Sequence, residues 1–508
     1  MSLNLATLLR THARSRPSHP CLILGDTVLT YAAVDGLARR LAGALKGLGV
    51  HRGQHIALLL PNVPQFSIAY WGAHYLGCPV VPLNVLLTSH EIAYHLDDSD
   101  AVALVVWEGF AEQALEAVRH ASTCKHVIVA TADRAELGAP AGALNLSQLI
   151  ADAAPVEDLP DTHADDTAVI LYTSGTTGKP KGAELTHFNM FFNAWYVGTR
   201  LLNLGADTVA LVTLPLFHSF GQSVLHNGVI AQGGTVVLLP RFDASAALGL
   251  MTKHRVNFFG GVPTMYFAML HHPNAAKFDL SALKFCVSGG AAMPVEVMRA
   301  FDEKYRVNIL EGYGLSETSP VASFNTLDQP KKAGSVGVPL DGVEFRLLDP
   351  DGHVVQEDGK AGEIAIKGHN VMKGYYKRPE ATAEVLQDGW FRTGDIATRD
   401  QDGYYFIVDR SKDMIIRGGF NVYPREIEEV LYGHPAIAEV AVIGQKDERL
   451  GEEIVAVIAW KPGMKAGAEE IIAYCRERLA VYKVPRIIRV LPTLPKGPTG
   501  KILKRELR

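Results

Sequence analysis

A chain of 508 residues is too long for one hydrophobic core, so two or more domains are expected. With 48% hydrophobic and 20% charged residues it has the balance of a soluble globular protein, and a net charge of -5 gives no footprint for nucleic acid. Five scattered cysteines without a C-x-x-C argue against a disulfide framework or zinc site and fit a reducing compartment. Met1 to Leu9 is apolar but lacks the charged start and cleavage site of a signal peptide. No apolar run approaches the roughly 20 residues of a transmembrane segment. The expected location is the cytoplasm.

The first fifty residues read as a helix, a short strand pair and a second helix starting at Thr30-Tyr31 and ending at Gly47. Strands follow at 55–60, 80–83 and 101–106, with helices at 63–76 and 91–96 between them. Such alternation predicts parallel α/β layers. His90-Glu91 and His95 resemble a zinc-protease helix, but the histidines are five apart rather than four, so they do not share a helical face. Residues 131–165, rich in Ala, Asp and Pro, are expected to be a surface connection.

An apolar strand at 168–172 then opens into Thr173-Ser174-Gly175-Thr176-Thr177-Gly178-Lys179-Pro180-Lys181-Gly182, followed by a helix at 188–196. The segment is therefore expected to join a strand to a helix. Glycines admit close backbone approach, hydroxyls donate and lysines add charge, which suits phosphate. The same composition also describes an ordinary surface loop. It is not a Walker A loop, because two residues rather than four separate Gly175 from Gly178-Lys179, and Pro180 follows.

Further strands are expected at 209–214, 235–239, 256–261, 283–288 and 307–310. Several end in polar or glycine-rich loops, where open α/β sheets bind ligands. From about Gly334 short strands with Asp-Gly turns predict an antiparallel β subdomain. The last hundred residues read as a small α+β domain, with helices at 424–432 and 468–479, strands at 440–443 and 455–460, and a basic loop at 495–504.

These strand-end loops resemble, in order and over nearly the whole chain, the motifs of the adenylate-forming enzymes: acyl-CoA synthetases, amino-acid adenylation domains and firefly luciferase. The resemblance implies a large N-terminal domain of stacked α/β sheets with a β subdomain, residues 1–409. A small mobile α+β domain, 410–508, would turn about a hinge at Lys412. It implies ATP-driven formation of an acyl-adenylate, with Mg2+ as cofactor, and transfer to CoA. The partners are a small carboxylic acid, ATP and CoA, and a homodimer stays open.

Residue by residue, the resemblance gives Thr173, Ser174, Gly175, Thr176, Thr177 and Gly178 to the phosphates, with Lys181 in support. Glu317 would bind magnesium, helped by Thr173. Gly289, Gly290 and Ala291 would flank adenine on one side, with Glu311, Gly312, Tyr313 and Gly314 on the other. Ser316, where the family more often has Thr, would offer its hydroxyl to the α-phosphate. Asp395 and Arg410 would hold the ribose, and Asn421 the nucleotide side. Lys501, in Gly497-Pro498-Thr499-Gly500-Lys501, would be the adenylation lysine, and His218 the gate between nucleotide and acid; a histidine beside Phe217 and Phe220 could equally be a core residue. Gly418 and Gly419 would line the passage for the pantetheine arm.

Phe259, Gly260 and Val262 are placed in the acyl pocket. Residues 256–265 contain no lysine or arginine to pair a second carboxylate, so an aliphatic tail is favoured. The stretches 312–324 and 368–381 resemble bacterial long-chain fatty acyl-CoA ligases. A medium- or long-chain fatty acid is expected, with an aryl acid as runner-up. The rival classes are an enzyme loading a carrier protein, a luciferase-like oxygenase, and a non-enzymatic binding protein.

Overall fold

The computed structural model describes residues 2–132, 138–173, 179–410, 413–418, 420–447 and 449–508. Two large sheets form its body. The first runs Gly374–Tyr375, Lys181–Thr186, Thr167–Thr173, Val80–Pro82, His55–Leu59, Ala101–Trp107, His126–Ala130, Leu144–Asn145. The second runs Val338–Pro339, Val321–Phe324, Asn308–Gly314, Phe285–Ser288, Phe258–Gly261, Val209–Val212, Thr235–Leu238, Pro20–Leu24, Thr27–Thr30. Both are parallel at the centre and antiparallel at an edge. Their central strands are covered on both faces, which is why they read as unbroken apolar runs.

One core takes side chains from both sheets, among them Ile56, Val105, Leu211, Phe258 and Val287. The helix Pro64–Leu76 belongs to it, and every residue from Pro64 to Tyr75 is buried. A helix without a polar stripe is stable only inside such a core.

A third, antiparallel sheet contains Val343–Leu348, Gly362–Gly368, Leu386–Gln387, Trp390–Arg399 and Tyr405–Arg410. Beyond it, Phe420–Val422, Ile415–Arg417, Gly451–Trp460, Ile437–Asp447 and Ile487–Val490 pair only among themselves among the described residues. The helices Pro424–Tyr432 and Ala468–Arg476 cover this small sheet, whose core is its own. The α/β class, the β subdomain and the small α+β unit are as expected.

Three local expectations are corrected. The segment after Thr173 returns as a strand, not a helix: Lys181–Thr186 pairs antiparallel with Thr167–Thr173, register Thr173 opposite Lys181. Six residues beginning Lys181-Gly182 give too short an alternation to reveal it. Only then does Thr186 cap the helix His187–Tyr196, its hydroxyl accepting from Asn189 N–H. Next, the expected connection at 131–165 contains the helix Leu146–Asp152, capped by Asn145 and buried through Leu146 and Ile150. A helix of two turns is held by tertiary packing rather than by its composition. Finally, the strand expected at 307–310 continues to Gly314, because its last residues pair with Val321–Phe324.

Candidate active site

The end of the signature hairpin is tied to Glu317. Thr173 Oγ1 donates to Glu317 Oε1 at 3.2 Å, although 144 residues separate them. Tyr375 donates its hydroxyl to the same oxygen at 3.0 Å. Tyr375 reaches this position because Gly374–Tyr375 extends the sheet edge beside Lys181–Thr186. The Lys181 ammonium lies 5.2 Å from its ring centroid. No motif announces Tyr375; its only sequence signal is an aromatic with a polar tip in a short strand. Ser174, Gly175, Thr176, Thr177 and Gly178 lie outside the described residues.

Glu317 is 7% exposed. Among the described residues both of its side-chain hydrogen bonds fall on Oε1, which leaves Oε2 as a hard oxygen donor not engaged by them. A buried carboxylate with one oxygen engaged and a hydroxyl beside it fits magnesium, which takes one or two carboxylates together with phosphate and water oxygens.

A second cluster surrounds Asp395. This residue stands opposite Arg410 across two antiparallel strands. Arg410 Nε lies 3.1 Å from Oδ1, and Tyr313 donates its hydroxyl to Oδ2 at 2.7 Å. Burial and the Asp395 charge hold the Tyr313 proton far above its ordinary range. The Asp395 charge likewise keeps Arg410 firmly protonated. Gly312, Tyr313 and Gly314 close the strand that carries them, and Ser316 opens the short turn bearing Glu317.

Glu311, two residues before Tyr313, points to the loop after Ser288. Its Oε1 accepts from Met293 N–H at 3.1 Å, which draws in the turn holding Gly289, Gly290 and Ala291. Oε2 is buried without a partner among the described residues. Burial pushes this carboxyl up to about 7.

Lys501 comes from the small domain. Its loop is closed by Gly497 N–H donating to the Lys501 carbonyl at 2.8 Å. The loop is seated on the large domain by Thr264, whose Oγ1 donates to the Gly500 carbonyl at 3.1 Å. The side chain keeps water contact by area, yet protein crowds it at longer range. That desolvation and the Arg410 charge pull its ammonium down to about 8, with Asp395 opposing. His218 is close enough to feel the Lys501 charge, and burial and that charge push it down to about 4. Its Nδ1 accepts from Phe220 N–H at 3.3 Å, so the neutral ring carries its proton on Nε2.

Lys501, His218, Tyr313, Asp395 and Arg410 therefore converge on one cleft, at the ends of the second sheet's strands. The expected acyl residues separate. Gly260 faces Leu225 on the helical run Phe220–Asn227, whereas the Phe259 ring lies on the other side of the strand, 5.3 Å from Tyr266. Val262 lies beside Gly290 and Gly500. Gly418 and Asn421 are exposed on the small domain's hairpin, and among the described residues no hydrogen bond or ion pair joins them to the Asp395 cluster. Lys412 and Gly419 lie outside the described residues. His95 is no metal ligand here: its Nδ1 is 2.6 Å from the Glu91 carbonyl and its ring packs on Tyr172.

Residues 9–376 match the model of the AMP-binding enzyme family, and residues 426–501 match that of the AMP-binding enzyme C-terminal domain. A long-chain-fatty-acid–CoA ligase of Bacillus subtilis (strain 168) is 36% identical, covering 99% of this chain and 94% of its own length. A feruloyl-CoA synthase of an Amycolatopsis species is 41% identical, covering 98% and 96%. The crystal structure of an anthranilate CoA ligase in complex with anthranoyl-AMP superposes with a TM-score of 0.95 at 30% identity, covering 100% of this chain and 97% of the other. With its Lys501, Asp395–Arg410 and Thr173–Glu317 groups gathered at one cleft, the chain belongs to the AMP-binding, adenylate-forming family and is an ATP-dependent acid–CoA ligase.

Proposed function

We propose that the chain activates a medium- or long-chain fatty acid with magnesium-ATP and passes the acyl group to CoA, in the cytoplasm. The observation that carries this is the meeting of Lys501 with Asp395, Arg410 and His218 across the two domains. In the first step a carboxylate oxygen attacks the α-phosphorus as the bond to pyrophosphate breaks. Negative charge gathers there, and the Lys501 ammonium stabilises it. Asp395 and Arg410 fix the ribose, and neutral His218 offers its Nε2 proton beside the acid. Magnesium, held through Glu317 with Thr173 and the signature loop, would neutralise charge on the leaving pyrophosphate. In the second step the CoA sulfur attacks the acyl carbon and AMP leaves.

A division close to 409/410 is supported by the separate pairing of the small sheet, with Arg410 itself ending the last strand of the third sheet. Turning about Lys412 would withdraw Lys501 and bring the exposed Gly418 and Asn421 to the cleft. The aliphatic assignment is supported by the absence of lysine and arginine from residues 256–265. A second reading, an aryl acid, is favoured by the wall at Gly289, where the Phe220 ring lies 3.3 Å from the position of a Cβ. The test is thioester product by mass spectrometry with ATP, magnesium, CoA and acids from acetate to oleate, benzoate and coumarate included. A maximum among aliphatic acids supports the proposal; a maximum at coumarate replaces it with the second reading. Adenylate without thioester would point to a carrier protein as acceptor.

A further inference from the structure

Gly260 and Val262 lie two residues apart on extended backbone, so they face the same side of the sheet. Val262 is at the cleft, 3.1 Å from the position a Gly500 Cβ would take and 3.9 Å from that of Gly290. Gly260 is about 7 Å deeper, at a strand rise of roughly 3.3 Å per residue. On that same side Phe220 covers Gly289 at the upper level. At the lower level Leu225 covers Gly260, its Cδ2 only 2.5 Å from where a Cβ would be. Leu225 thus occupies the space that the missing side chain of Gly260 leaves open, and it is fully buried.

The leucine is held there. Phe220–Asn227 is wound as a π-helix, a form often found at functional sites. The next residue, His226, has Nε2 at 2.7 Å from Ser67 Oγ and Nδ1 at 2.7 Å from Asn227 Oδ1, and its ring stacks on Trp71 at 5.5 Å. Asn227 in turn donates to the Tyr70 hydroxyl at 3.0 Å. This buried network bolts the π-helix to Pro64–Leu76 and so fixes the backbone that carries Leu225. Burial pushes His226 down to about 4, so it stays neutral and the network keeps one protonation state across the working range.

We infer that Leu225, seated on Gly260, is the floor of the acyl pocket and sets the longest acid the enzyme accepts. The preferred acid then lies at the shorter, medium-chain end of the proposed medium- to long-chain range, and acids that outgrow the floor are turned away. This rests on the proposed thioester-forming activity.

The test is the ratio of kcat/KM values for CoA thioester formation along a series of straight-chain acids. Leu225→Ala should raise kcat/KM for acids two methylenes longer than the wild-type optimum by about tenfold relative to that optimum, the worth of roughly two newly buried methylenes. Leu225→Met, which keeps the volume on a slimmer side chain, should move the ratio the same way by a smaller factor and decides the matter if the alanine variant does not fold. Gly260→Ala, which drives Leu225 toward the cleft, should move it toward shorter acids. A folded Leu225→Ala or Leu225→Met enzyme with the wild-type length profile would show that Leu225 is core packing only, and so would a wild-type enzyme indifferent to length. Absence of thioester with every acid would instead remove the proposed function itself.

Discussion

The Tyr313 hydroxyl donates to Asp395 Oδ2 at 2.7 Å, on the side of the carboxylate away from Arg410. Each oxygen of Asp395 therefore has a protein partner that fixes its direction before any nucleotide arrives. The Asp395 side chain is 6% exposed but that of Arg410 is 42% exposed, so solvent partly screens the pair and the larger loss expected at Asp395 is that of the ribose-binding carboxylate itself. Asp395→Ala should lower kcat/KM for ATP in pyrophosphate exchange by at least about 100-fold. Tyr313→Phe loses one neutral donor, worth about 1 kcal/mol, and should cost about fivefold. Equal losses in the two variants would mean that the carboxylate serves ATP only when the Tyr313 hydroxyl holds it in place.

Lys501 is drawn down to about 8 by desolvation and Arg410. The adenylation step needs its charged form. Adenylate formation should hold level below pH 8 and fall above it, while thioester formation from pre-made acyl-adenylate shows no such limb. Lys501→Arg should abolish the alkaline fall, since a guanidinium keeps its proton throughout. Single-turnover rates from pH 6 to 10 check this. A fall that persists in the arginine variant would assign it to another group.

Two hydroxyls orient Glu317 through one oxygen. Loss of such a supporting contact typically weakens a metal site by about 10–100-fold. Tyr375→Phe should raise the magnesium concentration for half-maximal pyrophosphate exchange by about tenfold, and Glu317→Ala by more. An unmoved magnesium titration in Tyr375→Phe, with lowered kcat alone, would leave Tyr375 a merely structural neighbour.

Gly418 has φ of +58°, and a Cβ there would sit 3.4 Å from Leu450. The residue is exposed on the hairpin that should reach the cleft for the second step. Gly418→Val should slow thioester formation by at least about tenfold, since a blocked and strained position costs 1–2 kcal/mol or more, and leave pyrophosphate exchange unchanged. Equal damage to both half-reactions would show that the strain unfolds the hairpin rather than closing a passage.

Glu311 titrates near 7 because of its burial, above the ordinary 4.5. The folded protein holds a proton there that the unfolded chain gives up, so stability falls as pH rises from about 4.5 to 7. Glu311→Gln should flatten that part of the Tm-against-pH curve and raise Tm at pH 8. A wild-type slope retained in the variant would mean that other carboxyls set it.

Much of this was legible in the sequence because the chemistry sits in short loops with distinctive composition. The helix Pro424–Tyr432 and the strand Phe285–Ser288 follow from local periodicity. What stayed hidden is set by distant partners. Lys181–Thr186 is a strand only because Thr167–Thr173 and Gly374–Tyr375 flank it. Tyr375 matters through a bond to a residue 58 positions away. Phe259 and Gly260 are adjacent in sequence, but a strand turns neighbours to opposite faces, so they do not form one pocket wall.

Gly500 carries no reactive group, yet its φ of +82° strains any other residue and a Cβ there would crowd Thr264 Oγ1 at 3.0 Å. In a growth selection over all single substitutions, this position would therefore tolerate as little change as the lysine beside it. Thr264, a donor of a single hydrogen bond, would rank between them and the freely variable surface. A map of mutational tolerance would thus draw a patch wider than the chemistry, and its outer ring would mark where the loop is seated rather than where bonds break.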